Sequence, residues 1–279
     1  MHIRQTLPRI PLRPKSPVES GKASPNASVE KPVPNWPADR NYKIHYPENC
    51  DPPNPTPVMV VVHGYTHDAG VMENMTSPDG NPSNPDSLNS LADREGFVVV
   101  YHNGTPLGRF RKGRGWNGGA MAYRMAAEMS DRFAAIAVVA AGDQYAYANN
   151  TTEPERDMPL MVMHGEKDPV WPYEGGSIAF GKMCTVPGSV EKWAGWNQAE
   201  LKSTELLPDV DPNDGTRVEK KVYQGATPSS DVEFYTVKGG GHAWPGGHQF
   251  SPEFQIGKVT RDINANEIMW DFFEAHPKQ

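Results

Sequence analysis

Short apolar runs, each stopping at a glycine or a polar loop, set the strongest limit on how this chain can fold. VMVVV (Val58–Val62), FVVVY (Phe97–Tyr101), AAIAVVAA (134–141), LMVM (160–163) and VEFYTV (232–237) are separated by segments with helical patterning, such as SLADRE and GGAMAYRMAAEMSDRF. Runs that are apolar at successive positions, as most of these are, fit strands buried on both faces, the condition of a parallel sheet covered by helices. Val58–Val62 is read in this way as a central strand. Strands alternating with helices predict an α/β domain. An alternating strand from Tyr42 to Tyr46 opens it, and a helix from about Asp262 to Ala275 closes it. Met121, Met125 and Met129 recur at helical spacing and are expected to share one face. A further helix is expected after GGSIAF, and the stretch from Gly64 to Asn84, rich in Gly, Pro, Asn and Ser, reads as loop.

Composition narrows the function classes. Of 279 residues, 37% are hydrophobic and 22% charged, the balance of a soluble globular domain. A net charge of −7 argues against a nucleic-acid partner, which requires a basic surface. No apolar run reaches the length of a membrane span, so no membrane role is expected. Residues 1–40 are rich in Pro, Lys and Ser without hydrophobic periodicity and read as a disordered tail, leaving one domain over 41–279. The N-terminus shows no apolar h-region of a signal peptide. Two cysteines, Cys50 and Cys184, make neither a disulfide framework nor a zinc site, and whether they pair stays open.

In open α/β sheets, functional residues collect at the carboxyl ends of strands. Three polar loops follow strands here. HGYTHD contains Gly64, Tyr65 and Thr66, where a glycine lets backbone N–H groups turn inward to hold an oxyanion. GEKDPVWPYEGG carries Asp168, and GGGHAWPGG carries His242. A carboxylate followed later by a histidine, each just past a strand, is the acid-then-base order of a hydrolase triad. Each feature also has a structural alternative: Asp168 as a turn cap before Pro169, His242 as a surface residue in a glycine turn. Trp171 and Trp244 flank the two loops and are candidates for an apolar cleft, with ordinary packing as the alternative. His63, His67 and Asp68 lie close in sequence but in a loop, not on one helix face, so no metal is expected.

At this point the residues resemble a known group. VVVHGYT, LADREGFVVVYHNGT, GWN, GGAMAYRMAAEMSDRFAAIAVVAAG, HGEKDPVWPYEGG and GGGHAWPGG, with a closing helix ending FFEAHP, are similar to the polyhydroxybutyrate depolymerase, acetyl xylan esterase and feruloyl esterase family. The resemblance covers most of the chain beyond residue 40. It implies an α/β-hydrolase fold, a mostly parallel sheet with helices on both faces. It also implies Asp168 as triad acid, His242 as triad base, and an oxyanion donor from the HGYT loop. The substrate class would be polymeric or small-molecule carboxylic esters and the location extracellular or periplasmic; no cofactor is implied, and the oligomeric state is not addressed.

The family pattern breaks at its centre. The nucleophilic serine of this fold sits in a G-x-S-x-G turn between a buried strand and a helix. This chain has GRGWNGGAMAYR instead: Trp116 stands at the serine position, followed by Asn117. An upstream W-N-x-G-G stretch runs directly into the G-G that opens the helix, the signature of an internal deletion that removes the nucleophile strand and about one helix. No other residue is expected to substitute: Ser177 reads as a helix N-cap, Ser130 lies near a helix end, and Cys184 reads as helical. A cysteine pair common in the family falls at Ala199 and Ala226, so that crosslink is absent. The chain is thus expected to be an ester hydrolase scaffold without turnover. The alternatives are a non-catalytic ester- or polymer-binding protein and a non-functional deletion fragment.

Overall fold

A computed structural model describes residues 28–34, 40–47, 55–106, 114–115, 118–143, 153–178 and 181–278. The chain runs through β1 (Val29–Pro32), β2 (Asn41–His45), β3 (Val58–Val62), α1 (Ala69–Met75), α2 (Leu88–Glu95) and β4 (Val98–His102). Two short strands, β5 (Thr105–Pro106) and β6 (Arg114–Gly115), precede α3 (Gly118–Glu128). Next come β7 (Ile136–Val139), β8 (Leu160–Gly165), the hairpin of β9 (Gly176–Ile178) and β10 (Gly181–Met183), and α4 (Val186–Trp196). The meander β11 (Glu200–Leu206), β12 (Arg217–Gln224) and β13 (Val232–Lys238) leads to α5 (Glu253–Ile256) and α6 (Ala265–Ala275).

The protein is of the α/β class, with its main strands in two mixed sheets ordered β1-β2-β4-β3 and β11-β12-β13-β8-β7. Parallel pairing joins β3 to β4 and β8 to both β7 and β13; β1, β2, β11 and β12 add antiparallel strands at the outer edges. ELKSTEL gives no apolar period, and RVEKKVYQ, charged on both faces, sends only Val218 fully into the core. Glu200–Leu206 is exposed at every position, so ladder hydrogen bonds, not burial, make it a strand.

Several expectations change. The presumed disordered tail contains β1, whose residues pair antiparallel with β2 from Val29↔Ile44 to Pro32↔Asn41, since an open edge on β2 offers backbone partners that composition does not reveal. Residues 1–27 and 35–39, like Cys50, Trp116 and Asn117, lie outside the described residues. Val58–Val62 is an edge strand, not a central one. Met59 and Val61 are buried, whereas Val58 and Val60 are 48% and 41% exposed. The supposed loop from Gly64 to Asn84 contains α1, capped by Asp68, whose Oδ1 accepts from Val71 N at 2.9 Å. Seven residues including Gly70 are too few to show a helical period. In α3 the buried side chains are Tyr123, Ala126 and Ala127, while Met121, Met125 and Met129 are half-buried, so the methionine stripe is not the core face. Ser177 lies in the β9–β10 hairpin, and the cap of α4 is Thr185, whose hydroxyl accepts from Gly188 N; Cys184, a free thiol, precedes that cap.

One core layer spans both sheets. Met59 and Val61 of β3, Val99 and Tyr101 of β4, Met161 and Met163 of β8, and Val237 of β13 pack with Met269, Trp270 and Phe272 of α6. Phe97 and Trp270 stack at 4.1 Å within it. A second layer, on the other face of the β7–β8–β13 sheet, joins Tyr123 and Ala126 of α3 to Val138, Val162 and Phe234 and to Val190 and Trp193 of α4. α3 contacts both outer edges, β3 and β7. A Cβ on Gly118 would lie 2.5 Å from Val62 O, and one on Gly119 would lie 2.2 Å from Ala141 Cβ. The helix therefore starts wedged between the carboxyl ends of the two edge strands, and the wedge needs two residues without side chains.

Candidate active site

Two loops that leave adjacent parallel strands build the site. β8 and β13 pair in register to Gly165↔Val237. Beyond them the backbones close on one another: a Cβ on Gly165 would sit 2.3 Å from Gly241 O and 2.5 Å from Gly240 O. Only glycine permits this approach, which is why HGEKD and GGGH carry glycines where they do. Glu166 N donates to Val237 O at 2.9 Å and Lys167 N to Gly240 O at 2.8 Å, lacing the loops together.

This lacing delivers Asp168 to His242. His242 Nδ1 and Asp168 Oδ2 are 2.8 Å apart. The other carboxylate oxygen, Oδ1, accepts from Val170 N and Trp171 N, each at 2.7 Å. The Asp168 side chain has no exposed surface, whereas that of His242 is 24% exposed. With a carboxylate oxygen as its partner at Nδ1, the imidazole is oriented so that Nδ1 carries the proton. Nε2 is then the nitrogen left to take a proton from an incoming group.

The HGYTHD loop stands beside this pair. Gly64 O accepts from His67 N at 3.2 Å and from His63 Nδ1 at 2.7 Å. His63 Nε2 accepts from Gly104 N at 2.8 Å, which fixes this buried ring as its Nδ1–H tautomer. The Gly64–His67 turn forces Thr66 to φ 70°, a left-handed conformation that β-branched residues rarely adopt. Burial, and then the nearby His242 and His63, lower the His67 pKa, with Asp68 opposing. His67 meets Phe250 edge-on at 5.2 Å.

Asp168 and His242 are thus brought together, and His67 carries the loop of Gly64, Tyr65 and Thr66 towards His242. Trp171 and Trp244 do not form a cleft wall. Trp171 is buried in the layer with α3 and α4, and Trp244 in the layer with α6, where its Nε1 donates to Asn266 Oδ1 at 3.0 Å. Indole rings bury large apolar areas, and at these positions the core takes both. Sequence reasoning passed over His164, whose Nε2 lies 3.4 Å from Asp168 Oδ2 and 2.9 Å from Trp171 O. Its signal was present: a lone imidazole in a strand buried at all six positions, four residues before Asp168. Among the described residues, no three His, Cys, Asp or Glu side chains are grouped to hold a metal ion.

The chain is similar to the protein named "Putative esterase NocK" from Nocardia uniformis subsp. tsuyamanensis, 30% identical over 167 residues covering 56% of this chain and 48% of that one. It therefore spans about half the length of that curated relative. The solved structure titled "Crystal Structure of a Thermostable Esterase" aligns with a TM-score of 0.39 and 17% identity, covering 61% of this chain and 52% of that one. No protein-family model matches the sequence.

Proposed function

We propose that this chain carries the acid–base half of a serine carboxylic-ester hydrolase site, of the polyhydroxybutyrate depolymerase or feruloyl esterase kind, and acts outside the cytoplasm. The observation that carries the reading is the His242–Asp168 pair at the carboxyl ends of β13 and β8, with the imidazole partly open and the carboxylate fully buried. In the complete mechanism, a serine hydroxyl attacks the ester carbonyl as His242 Nε2 takes its proton. His242 then returns that proton to the leaving alcohol, and water resolves the acyl-enzyme by the same route. Asp168 keeps His242 in the required tautomer, and a backbone N–H of the Gly64–Thr66 loop steadies the oxyanion.

The chain as written performs no such turnover in this reading, because the serine is missing. The broken sheet supports this. β3 and β7 each end a sheet, and α3 begins between their carboxyl ends. A strand entering there would run directly into α3, the place of a nucleophile turn. The test is hydrolysis of a short-chain aryl ester. Loss of the nucleophile lowers turnover by roughly 10^6, so the chain and its His242→Ala variant are expected to share one background rate. Robust turnover abolished by His242→Ala would reveal another nucleophile. Inserting a strand and a G-x-S-N-G-G turn before Gly118 is expected to generate His242-dependent activity; a folded insertion variant without it would refute the esterase reading.

A further inference from the structure

We propose that His164 is a positioning residue of this site: a buried imidazole whose Nε2–H holds the Trp171 carbonyl of the Asp168 turn, lies against Asp168 Oδ2 and restrains the basicity of His242. The role rests on the acid–base reading of Asp168 and His242 given above and extends it by one member.

The geometry starts in β8. All six residues of LMVMHG are buried, and five of them are ordinary for such a strand. His164 is the exception: burying an imidazole costs free energy unless its nitrogens are engaged. Its Nε2 has two neighbours, the carbonyl oxygen of Trp171 at 2.9 Å and Asp168 Oδ2 at 3.4 Å. Both are acceptors, so Nε2 carries the proton. Neither the His164 nor the Asp168 side chain has exposed surface, so solvent does not screen this contact.

Trp171 closes the arrangement. Its N–H donates to Asp168 Oδ1 while its carbonyl accepts from His164. His164 therefore clamps the 168–171 turn from below as the carboxylate clamps it from above. Asp168 Oδ2 bonds His242 Nδ1 at 2.8 Å and has the Nε2–H dipole of His164 beside it at 3.4 Å. A donor on one side of a carboxylate withdraws charge from the other side, which weakens the pull of Asp168 on a protonated His242. Burial keeps His164 itself neutral by lowering its pKa, against the opposing effect of Asp168.

Few other ionisable groups face the pair. His67 approaches His242 from the HGYTHD loop. Lys258, on the segment after α5, turns its ammonium to Asp214 O at 3.0 Å. The Tyr173 ring lies 6.1 Å from that of His164 and donates no charge to Asp168. The expected behaviour is specific to this arrangement. Replacing His164 by Phe removes the donor and leaves Asp168 fully directed at His242, so the His242 pKa rises by about half a unit or more. Replacing it by Gln retains an N–H near the Nε2 position and leaves that pKa near the parent value.

The experiment is an NMR titration of the His242 ring in the full chain and in His164→Phe, His164→Gln and Asp168→Asn, with thermal melting to confirm folding. A purely structural role for His164 would lower the melting temperature of His164→Phe without moving the His242 pKa; that outcome in a folded variant overturns the proposal. Should His164→Phe not fold, long-range proton–nitrogen spectra of the parent decide. Nε2–H on His164 is expected, and an Nδ1–H tautomer or a doubly protonated ring overturns it. Ester turnover is a separate readout. Failure of the strand-restored chain to hydrolyse ester counts against the esterase reading, while the His242 titration still decides the His164 role.

Discussion

Gly119 and Ala141 stand so close that a Cβ on the glycine would lie 2.2 Å from the Cβ of the alanine and 2.9 Å from Val138 Cγ1. This contact fixes the start of α3 against the end of β7. Gly118 makes the matching contact with Val62 O at the end of β3. Gly119→Ala gains helix propensity but must displace well-packed neighbours, and overpacking of this kind costs roughly 1–3 kcal/mol. A clear fall in the urea midpoint is expected, and a neutral or stabilising effect would show that α3 does not sit in the gap.

Asp168 anchors its turn as well as His242. Asp168→Ala leaves two backbone N–H groups and the His242 imidazole without their acceptor, and breaking a buried charged network of this kind costs roughly 3 kcal/mol. Asp168→Asn keeps an oxygen for Val170 N and Trp171 N and is expected to lose less. Denaturant titration of the three proteins measures the order, and a loss under about 1 kcal/mol for Asp168→Ala would mean the turn closes without the carboxylate.

Acidification is expected to weaken the fold below the ordinary histidine pKa of 6.5. Burial is the first cause that lowers the pKa of His67, His102 and His164. Each therefore takes up a proton more readily unfolded than folded. Their contribution to stability is complete above 6.5 and is lost as pH falls from there towards the folded-state values. Urea midpoints between about pH 7.5 and pH 5 report this slope, which His164→Phe is expected to flatten. A midpoint that rises on acidification contradicts the assignment.

The exposed face of β3 tolerates charge. Val60→Lys is expected to change stability by no more than about 0.5 kcal/mol, while Val61→Ala, on the buried face, costs roughly 1–3 kcal/mol. The same lysine protects an unpaired edge from self-association. Light scattering of concentrated samples is expected to show less association for Val60→Lys than for the parent. A large destabilisation by Val60→Lys would restore the reading of Val58–Val62 as a strand buried on both sides.

The sequence by itself determined the class of fold and the principal pair. Runs such as LMVM and VEFYTV are apolar at most positions, the pattern expected of strands between covering layers. The chain order of Asp168 and His242, each a few residues past such a run with glycines beside it, sufficed to bring them together, because strand ends in a parallel pair share one edge of the sheet. Tertiary structure decided what depends on neighbours. VMVVV reads alike whether its sheet continues or stops, and the exposure of Val58 and Val60 follows from what does not cover them. Trp171 and Trp244 read alike as cleft or core, and the layers on opposite sides of the sheet claimed one each. β11 owes its strand to its ladder partner, which leaves no apolar trace in ELKSTEL. His164 was visible as a letter in an apolar run, but its meaning is a distance to Asp168 Oδ2, and a distance across a turn exists only once the backbone has closed.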